Sequence, residues 1–531
     1  MSLLHATSRR RFIAYGGAFL LSAALAPCAV WAKPAFTHHP FSLGVASGDP
    51  TPDGFVLWTR LAPQPLEPSG GMPPLAVSVR WEVARDPHFR RIERKGQAQA
   101  VPGLAHSIHV ELAGLEPNTM YWYRFMAGDA VSTAGRVRTA PPDNALPERV
   151  KLAVVGCHHY EAGYFTAYEH LSREEDVDLV FHYGDYIYET ASGSSRGHGG
   201  LRVQLPQRRH VGAEAYTLEQ YRVRYGQYKS DPHLQLAHAA AAFAMTFDDH
   251  EVDNDWAGIH DTRGASEQEL MTRRAAAFQA WYEHMPVRIA QKPQDGHVLA
   301  HRSLQYGRLL RLHMLDTRSY RDDQMCTAAQ LRKDIAYCRR ERTPEETMLG
   351  AQQEAWLAKQ LQHDGCWNVL AQQVMMMPCE RRKSLEGASV RNHDKWDGYP
   401  HARQRLVQAL KTYRPQDNIV LSGDLHQYYV GVVPSEEGDM SSAPLAPEFL
   451  TTSLSSGGDG SAHRPGQEHM LDNNPHIALV NDQRGYQTFE FSPSQVLTEL
   501  KVIDRVETPG GQMSVLARFV VERSDPRPHR V

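Results

Sequence analysis

The sequence has no strong charge bias. Its 57 Lys and Arg against 61 Asp and Glu give a net charge of −4, so nothing in the bulk electrostatics points to a nucleic-acid partner. It has no internal repeat, no P-loop and no HExxH pair, and GGDG at 457–460 matches no phosphate-cradling fingerprint. Cysteine is scarce, with six in 531 residues. One apolar stretch, residues 12–32, approaches membrane-spanning length. Gly16, Gly17, Pro27 and its short apolar core fit a cleaved signal better than an anchor.

That stretch follows SRRRFI at 8–13 and ends in Val30-Trp31-Ala32, the layout of a twin-arginine export signal over residues 1–32. LAPC at 25–28 resembles a lipid-attachment site, but Pro27 beside the cysteine argues against one. The expected location is the periplasm or outside the cell, reached through the twin-arginine machinery, with no permanent membrane anchor. Cys28 leaves with the signal. In an oxidising compartment Cys326, Cys338, Cys366 and Cys379 suit two disulfides, and neighbour pairing (326–338, 366–379) is the expectation among three possibilities. Cys157 is left over and needs another explanation.

A chain of this length, 41% hydrophobic, calls for two or three domains. Residues 36–142 carry short alternating runs such as FVLWTRL (55–61), VSVRWEVA (77–84) and MYWYRFMAG (120–128). These predict a small fibronectin- or immunoglobulin-like β-sandwich, closed by a linker at Pro141-Pro142. From 146 to 525 the strands become continuously apolar (150–157, 177–185, 308–318, 367–375, 418–424) and alternate with helices. That pattern predicts an α/β domain whose sheets are covered on both faces. Ser266 and Glu269 form a capping box that opens one helix, and LGAQQEAWLAKQL (349–361) is another. Histidine is frequent, with 28 residues, but GHGG (197–200) and RRHVG (208–212) read as solvated loop.

Four strands end in metal-binding groups: Gly156-Cys157-His158-His159, Gly184-Asp185-Tyr186-Ile187-Tyr188, Asp248-Asp249-His250-Glu251 and Gly423-Asp424-Leu425-His426. Ligand crevices of open α/β sheets lie at such carboxyl ends. Each has a bland alternative: GD as a turn, DDHE as a helix N-cap, GDLH as a turn with a core histidine, and a buried Cys as a small hydrophobe. Together they place Asp, His, Cys and Tyr in one cluster, which can be buried only around a compensating positive charge.

The order resembles the binuclear metallophosphatases, with Tyr188 matching the tyrosine of the purple acid phosphatase branch. Cys157 stands where many members carry aspartate. FSLGVASGDPTPDGFVLWTRL (41–61), DDHEVDND (248–255), LDTRSYRDD (315–323), WDGYP (396–400) and QRGYQTFEFS (483–492) resemble the PhoD-like alkaline phosphatases/phosphodiesterases over about residues 40–525. The resemblance implies a two-sheet metallophosphatase-type α/β sandwich behind the small all-β module, and hydrolysis of phosphate esters. It implies Asp185 as a carboxylate bridging two centres. One centre takes Cys157, Asp185, Tyr188 and His426, a set suited to Fe3+. The other takes Asp185, Asp249 and Asp424, oxygen ligands suited to Ca2+, with Mn2+ or Mg2+ as alternatives. Asp248 is either a direct ligand or a neighbour of one. His250 is expected beside the phosphate, stabilising the leaving oxygen as general acid. Arg318 is either a phosphate-binding fork or a plain Asp316–Arg318 ion pair, and base frequencies favour the pair. Rival readings are a phospholipase D-like phosphodiesterase, a surface binding protein with an inactive catalytic domain, and a zinc hydrolase, the last disfavoured by Tyr188. The segment 511–523 is expected to be a strand.

Overall fold

The computed structural model describes residues 35–193, 208–326, 330, 342–363, 365, 367–382, 389–464 and 467–531. The expected export signal and GHGG lie outside them. Phe36–Val531 forms one unit.

The first strands are β1 (Val45–Thr51), β2 (Gly54–Arg60), β3 (Val77–Ala84), β4 (Ile92–Ala100), β5 (Ser107–Leu112), β6 (Met120–Ala127), β7 (Ala130–Val131) and β8 (Gly135–Arg138). They do divide between two sheets. β4, β3, β6, β7 and β8 make a five-stranded sheet of their own. β1, β2 and β5 extend a larger sheet instead, because β1 pairs in parallel with β11 (Ala242–Met245) through Ser47–Ala242 and Gly48–Phe243. One face of the N-terminal module is therefore continuous with the following domain. Alternation in β3 puts Val77, Val79 and Val83 inward and leaves Ser78 and Arg80 exposed.

In the larger sheet β11 is joined by β9 (Val150–Val155) and β10 (Leu179–His182), and the three run parallel. A C-terminal antiparallel run completes it at the β9 edge: Arg484–Phe491, Gln495–Ile503 and Met513–Glu522, with His529–Arg530. The expected strand at 511–523 is thus present as Met513–Glu522, next to the short edge strand His529–Arg530. The second large sheet has seven strands. Its parallel centre is Leu310–Met314, Trp367–Ala371, Asn418–Ser422 and Pro444–Leu450. Leu152, Val154 and Phe181 of the first sheet share a core with Leu312, Val369, Ile419 and Leu421 of the second. Their apolar runs read as continuous because the outer faces are covered too, among others by the helix Glu267–His284, which the Ser266–Glu269 box opens as expected.

Two sequence expectations change. Cys379 is a free, buried thiol, so the 366–379 pairing does not form. Its side chain sits in the core under the second sheet, among Met376, Met377 and Trp396. Cys326 is half of a disulfide whose other half lies outside the described residues. RRHVG is solvated only in part, with Arg209, Val211 and Gly212 exposed. Arg208 and His210 are buried: Arg208 pairs with Asp231 at 3.0 Å, and the His210 ring stacks on His159.

Candidate metal centre

The carboxyl ends of both large sheets meet at one edge, and their turns are held in unusual backbone shapes. Cys157, Asp185, Asp424 and His426 all have positive φ (50°, 54°, 68° and 56°). Such left-handed conformations are uncommon outside glycine and cluster where surrounding structure over-determines them. Two devices hold these turns. The Tyr183 ring is wedged between them, so a Cβ added at Gly156 or at Gly423 would lie 2.3 Å from its Cε2 atom. Only glycine lets the two sheets' turns approach that ring. Glu251 supplies the second device. Its carboxylate accepts the backbone N–H groups of Asp185 (3.0 Å), Tyr186 (2.6 Å) and Asp248 (2.8 Å).

The side chains then converge. The Cys157 thiol donates to Asp185 Oδ2 at 3.2 Å, and the Tyr188 hydroxyl donates to the same oxygen at 2.9 Å. Tyr188 Oη is also 3.2 Å from His426 Nε2. Ligand atoms of Cys157, Asp185 and His426 lie within 4.8 Å of one another. On the other side of Asp185, atoms of Asp185, Asp249 and His250 form one such group, and those of Asp248, Asp249 and Asp424 another. The six expected ligands therefore lie in adjoining groups linked through Asp185 and Asp249, with Tyr188 joined by its hydrogen bond to Asp185.

The donor chemistry fits cations. Burial, with Asp185 next, pushes the Cys157 thiol and the Tyr188 phenol well above their ordinary ranges, and burial pushes Asp185 up as well. Three acidic groups share one dry spot, and a cation there reverses all three shifts. In the second cluster Asp248 Oδ2 is buried and accepts no hydrogen bond. Five carboxylates (Asp248, Asp249, Asp255, Asp394, Asp424) meet three cationic side chains (Arg318, Arg321, Lys395).

Arg318 takes neither of its expected parts. It is fully buried, and its fork is committed to carboxylates: Nε to Asp248 Oδ1 (2.5 Å), Nη1 and Nη2 to Asp394 (2.7 and 3.1 Å). No fork remains for a phosphate oxygen. Asp316 accepts the backbone N–H of Arg318 rather than its guanidinium. Arg318 holds Asp248 and Asp394 in place, with Asp249 at 3.7 Å and Asp424 at 3.9 Å.

His250 has a partner that sequence reasoning missed. Its Nδ1 lies 2.7 Å from Oε2 of Glu189, a carboxylate with no exposed surface. The ring packs on Tyr188, centroid to centroid 4.1 Å. Burial alone would lower the His250 pKa, but Glu189, Asp249 and Asp185 outweigh it and hold the imidazolium well above the ordinary range. The signal was available, since an acid directly follows the ligand motif in Tyr188-Glu189. Asp394 and Lys395 were missed although they adjoin WDGYP. Ser456 was missed as well: its hydroxyl lies 2.7 Å from Tyr188 Oη and 2.6 Å from the Cys157 carbonyl.

The comparisons with known proteins converge on one family. The model of the PhoD-like phosphatases matches residues 152–500, and that of their N-terminal domain matches 26–141. The chain belongs to the PhoD-like phosphatases. It is 42% identical over 493 residues to alkaline phosphatase D of Bacillus subtilis (strain 168), covering 93% of this chain and 82% of that protein. A solved structure of PhoD superposes with a TM-score of 0.87 at 41% identity, covering 94% of this chain and 93% of that one. The PhoD-like fold, an all-β N-terminal part followed by a two-sheet catalytic part, is therefore established. So is the reaction class, hydrolysis of phosphoric esters. Among the described residues no helix is long and apolar enough to cross a membrane.

Proposed function

We propose that this PhoD-like phosphatase works outside the cytoplasm as an iron–calcium enzyme, with residues 1–32 directing export by the twin-arginine route. The proposed parts are an N-terminal module over 36–142 and a catalytic domain over 146–525. The observation that supports the site assignment is the run of ligand groups linked through Asp185 and Asp249. Cys157, Asp185, Tyr188 and His426 would hold ferric iron, because thiolate and phenolate donors favour it over zinc. Asp185, Asp249 and Asp424 would hold calcium, with manganese or magnesium as alternatives. Bound there, the ions would supply charge to offset phosphate oxygens and a Lewis acid that lowers the pKa of water.

The chain's own groups do the rest. Glu189 fixes His250 through Nδ1, leaving Nε2 to pass a proton to the leaving oxygen. Arg318 orients Asp248 and Asp394 without touching the ester. Glu251 keeps the Asp185 and Asp248 turns in register. Cys326 is assigned Cys338 as its disulfide partner, which peptide mapping of the oxidised protein checks.

The test is hydrolysis of aryl and alkyl phosphate esters by exported enzyme of known metal content. Turnover that rises with iron and calcium occupancy supports the reading. Turnover that survives complete loss of iron overturns the iron assignment.

A further inference from the structure

Lys395 stands in an unexpected place. It is 5% exposed, and its Nζ lies between two carboxylates: Asp394 Oδ2 at 2.7 Å, and Asp424 Oδ2 in direct contact. These two partners are unequal. Asp394 does not need the lysine, because it already accepts Arg318 on both oxygens, Arg321 on Oδ1, and Gln324 on Oδ1 at 2.6 Å. Among the described residues no other close donor to Asp424 is found. Arg318 is its other cation, at 3.9 Å, beyond hydrogen-bond reach. Yet Asp424 is one of the residues whose oxygens gather with those of Asp248 and Asp249.

The two local cations also differ in freedom. Arg318 is locked by its fork and has no exposed surface. Lys395 is a point charge on a flexible stem, with no fork geometry to satisfy. Asp424 is the more open of its two partners, with 11% of its side chain exposed against 5% for Asp394. A lysine ammonium and a divalent cation cannot both sit against one carboxylate oxygen without strong repulsion.

We infer that Lys395 is a resident counter-cation of the second centre: it neutralises Asp424 while the site is metal-free, and a divalent ion displaces it. The inference rests on the reading of Asp249 and Asp424 as a divalent-cation site. Lys395 would then be a competitor that sets the affinity of that site, tuned by its own position between a saturated carboxylate and a ligand. A merely structural lysine has the opposite sign. If Lys395 only braced Asp424, removing it would loosen the ligand and weaken cation binding.

The experiment is calcium titration by calorimetry of chelator-stripped full-length protein, comparing wild type with Lys395→Met and Lys395→Arg. The expected result is tighter calcium binding in Lys395→Met by about tenfold or more, the scale of one competing charge in a largely buried site. Lys395→Arg, which keeps the charge, stays within about threefold of wild type. Stripped Lys395→Met should also melt below stripped wild type, because Asp424 loses its partner, and calcium should bring the two together. This melting series keeps the inference testable if the methionine variant is unstable. Unchanged or weaker calcium binding in Lys395→Met overturns the displacement while leaving the metal site standing. No calcium, manganese or magnesium binding by wild type overturns both.

Discussion

Replacing Glu189 by Gln should cripple the proton delivery assigned to His250 while leaving the metals in place. The residue is fully buried, and its Oε2 takes the His250 Nδ1–H at 2.7 Å. Its other oxygen accepts the Asn254 N–H at 3.2 Å. Glutamine preserves the shape and removes the charge. A charge-assisted hydrogen bond is worth about 1.5–3 kcal/mol and a neutral one about 0.5–1.5. The difference, roughly 1–2 kcal/mol, corresponds to a loss of about 5- to 30-fold in turnover. The loss should fall on alkyl esters, whose leaving oxygen needs a proton, and much less on nitrophenyl esters. There is a pH signature too. Glu189 is the foremost of the carboxylates that raise the His250 pKa against burial. An imidazolium acting as acid loses activity as pH rises through its pKa, so a raised pKa extends activity to alkaline pH. Without Glu189 the basic limb of kcat/KM should move to lower pH. The assay is a pH–rate profile on both ester types, with metal content measured in parallel. Wild-type turnover on alkyl esters with an unshifted basic limb would refute the dyad.

Other consequences reach the rest of the molecule. Cys157→Ala should abolish iron binding and activity, because the thiol and Tyr188 meet on the same oxygen of Asp185, and full iron content in that variant would sink the assignment. Arg318→Met should destabilise the enzyme by about 3–5 kcal/mol, since it strands Asp248 and Asp394 without their main cation; a melting temperature within error of wild type would count against it. His313 is buried between Ser303 Oγ (2.7 Å) and Asn368 Oδ1 (2.6 Å), and burial pushes its pKa down to about 4. Its neutral form is the folded one, so its contribution is complete above pH 6.5 and fades as pH falls toward 4, at most roughly 3 kcal/mol. His313→Gln should therefore flatten the fall of melting temperature between those pH values, and an unchanged slope would contradict this.

The convergence of the proposed ligands was legible because each follows an apolar strand directly. Cys157, Asp185, Asp249 and Asp424 are each two to four residues past a strand end, and parallel pairing in the first sheet brings the first three of those ends together. What the sequence hid were long-range partners. Nothing local says that the Arg318 fork closes on Asp248 and Asp394, 70 and 76 positions away. Adjacency to Asp316 suggested a pair that the turn geometry turns into a backbone contact. The shared sheet was hidden for the same reason: β1 reads as part of a small sandwich until its pairing with β11 is known. Within RRHVG, Arg208 and His210 looked solvated because only the fold supplies Asp231 and the His159 ring. Cysteine spacing likewise carried no information on Cys379, which packs as a hydrophobe.

The central claim is that thiolate, phenolate and carboxylate around Asp185 bind iron beside an oxygen-liganded divalent ion. Elemental analysis and the visible spectrum of the natively produced protein test it most directly. The account predicts iron together with calcium and a visible charge-transfer band that Tyr188→Phe or Cys157→Ala alters. Zinc alone in a colourless protein would mean that Cys157 and Tyr188 are not ligands.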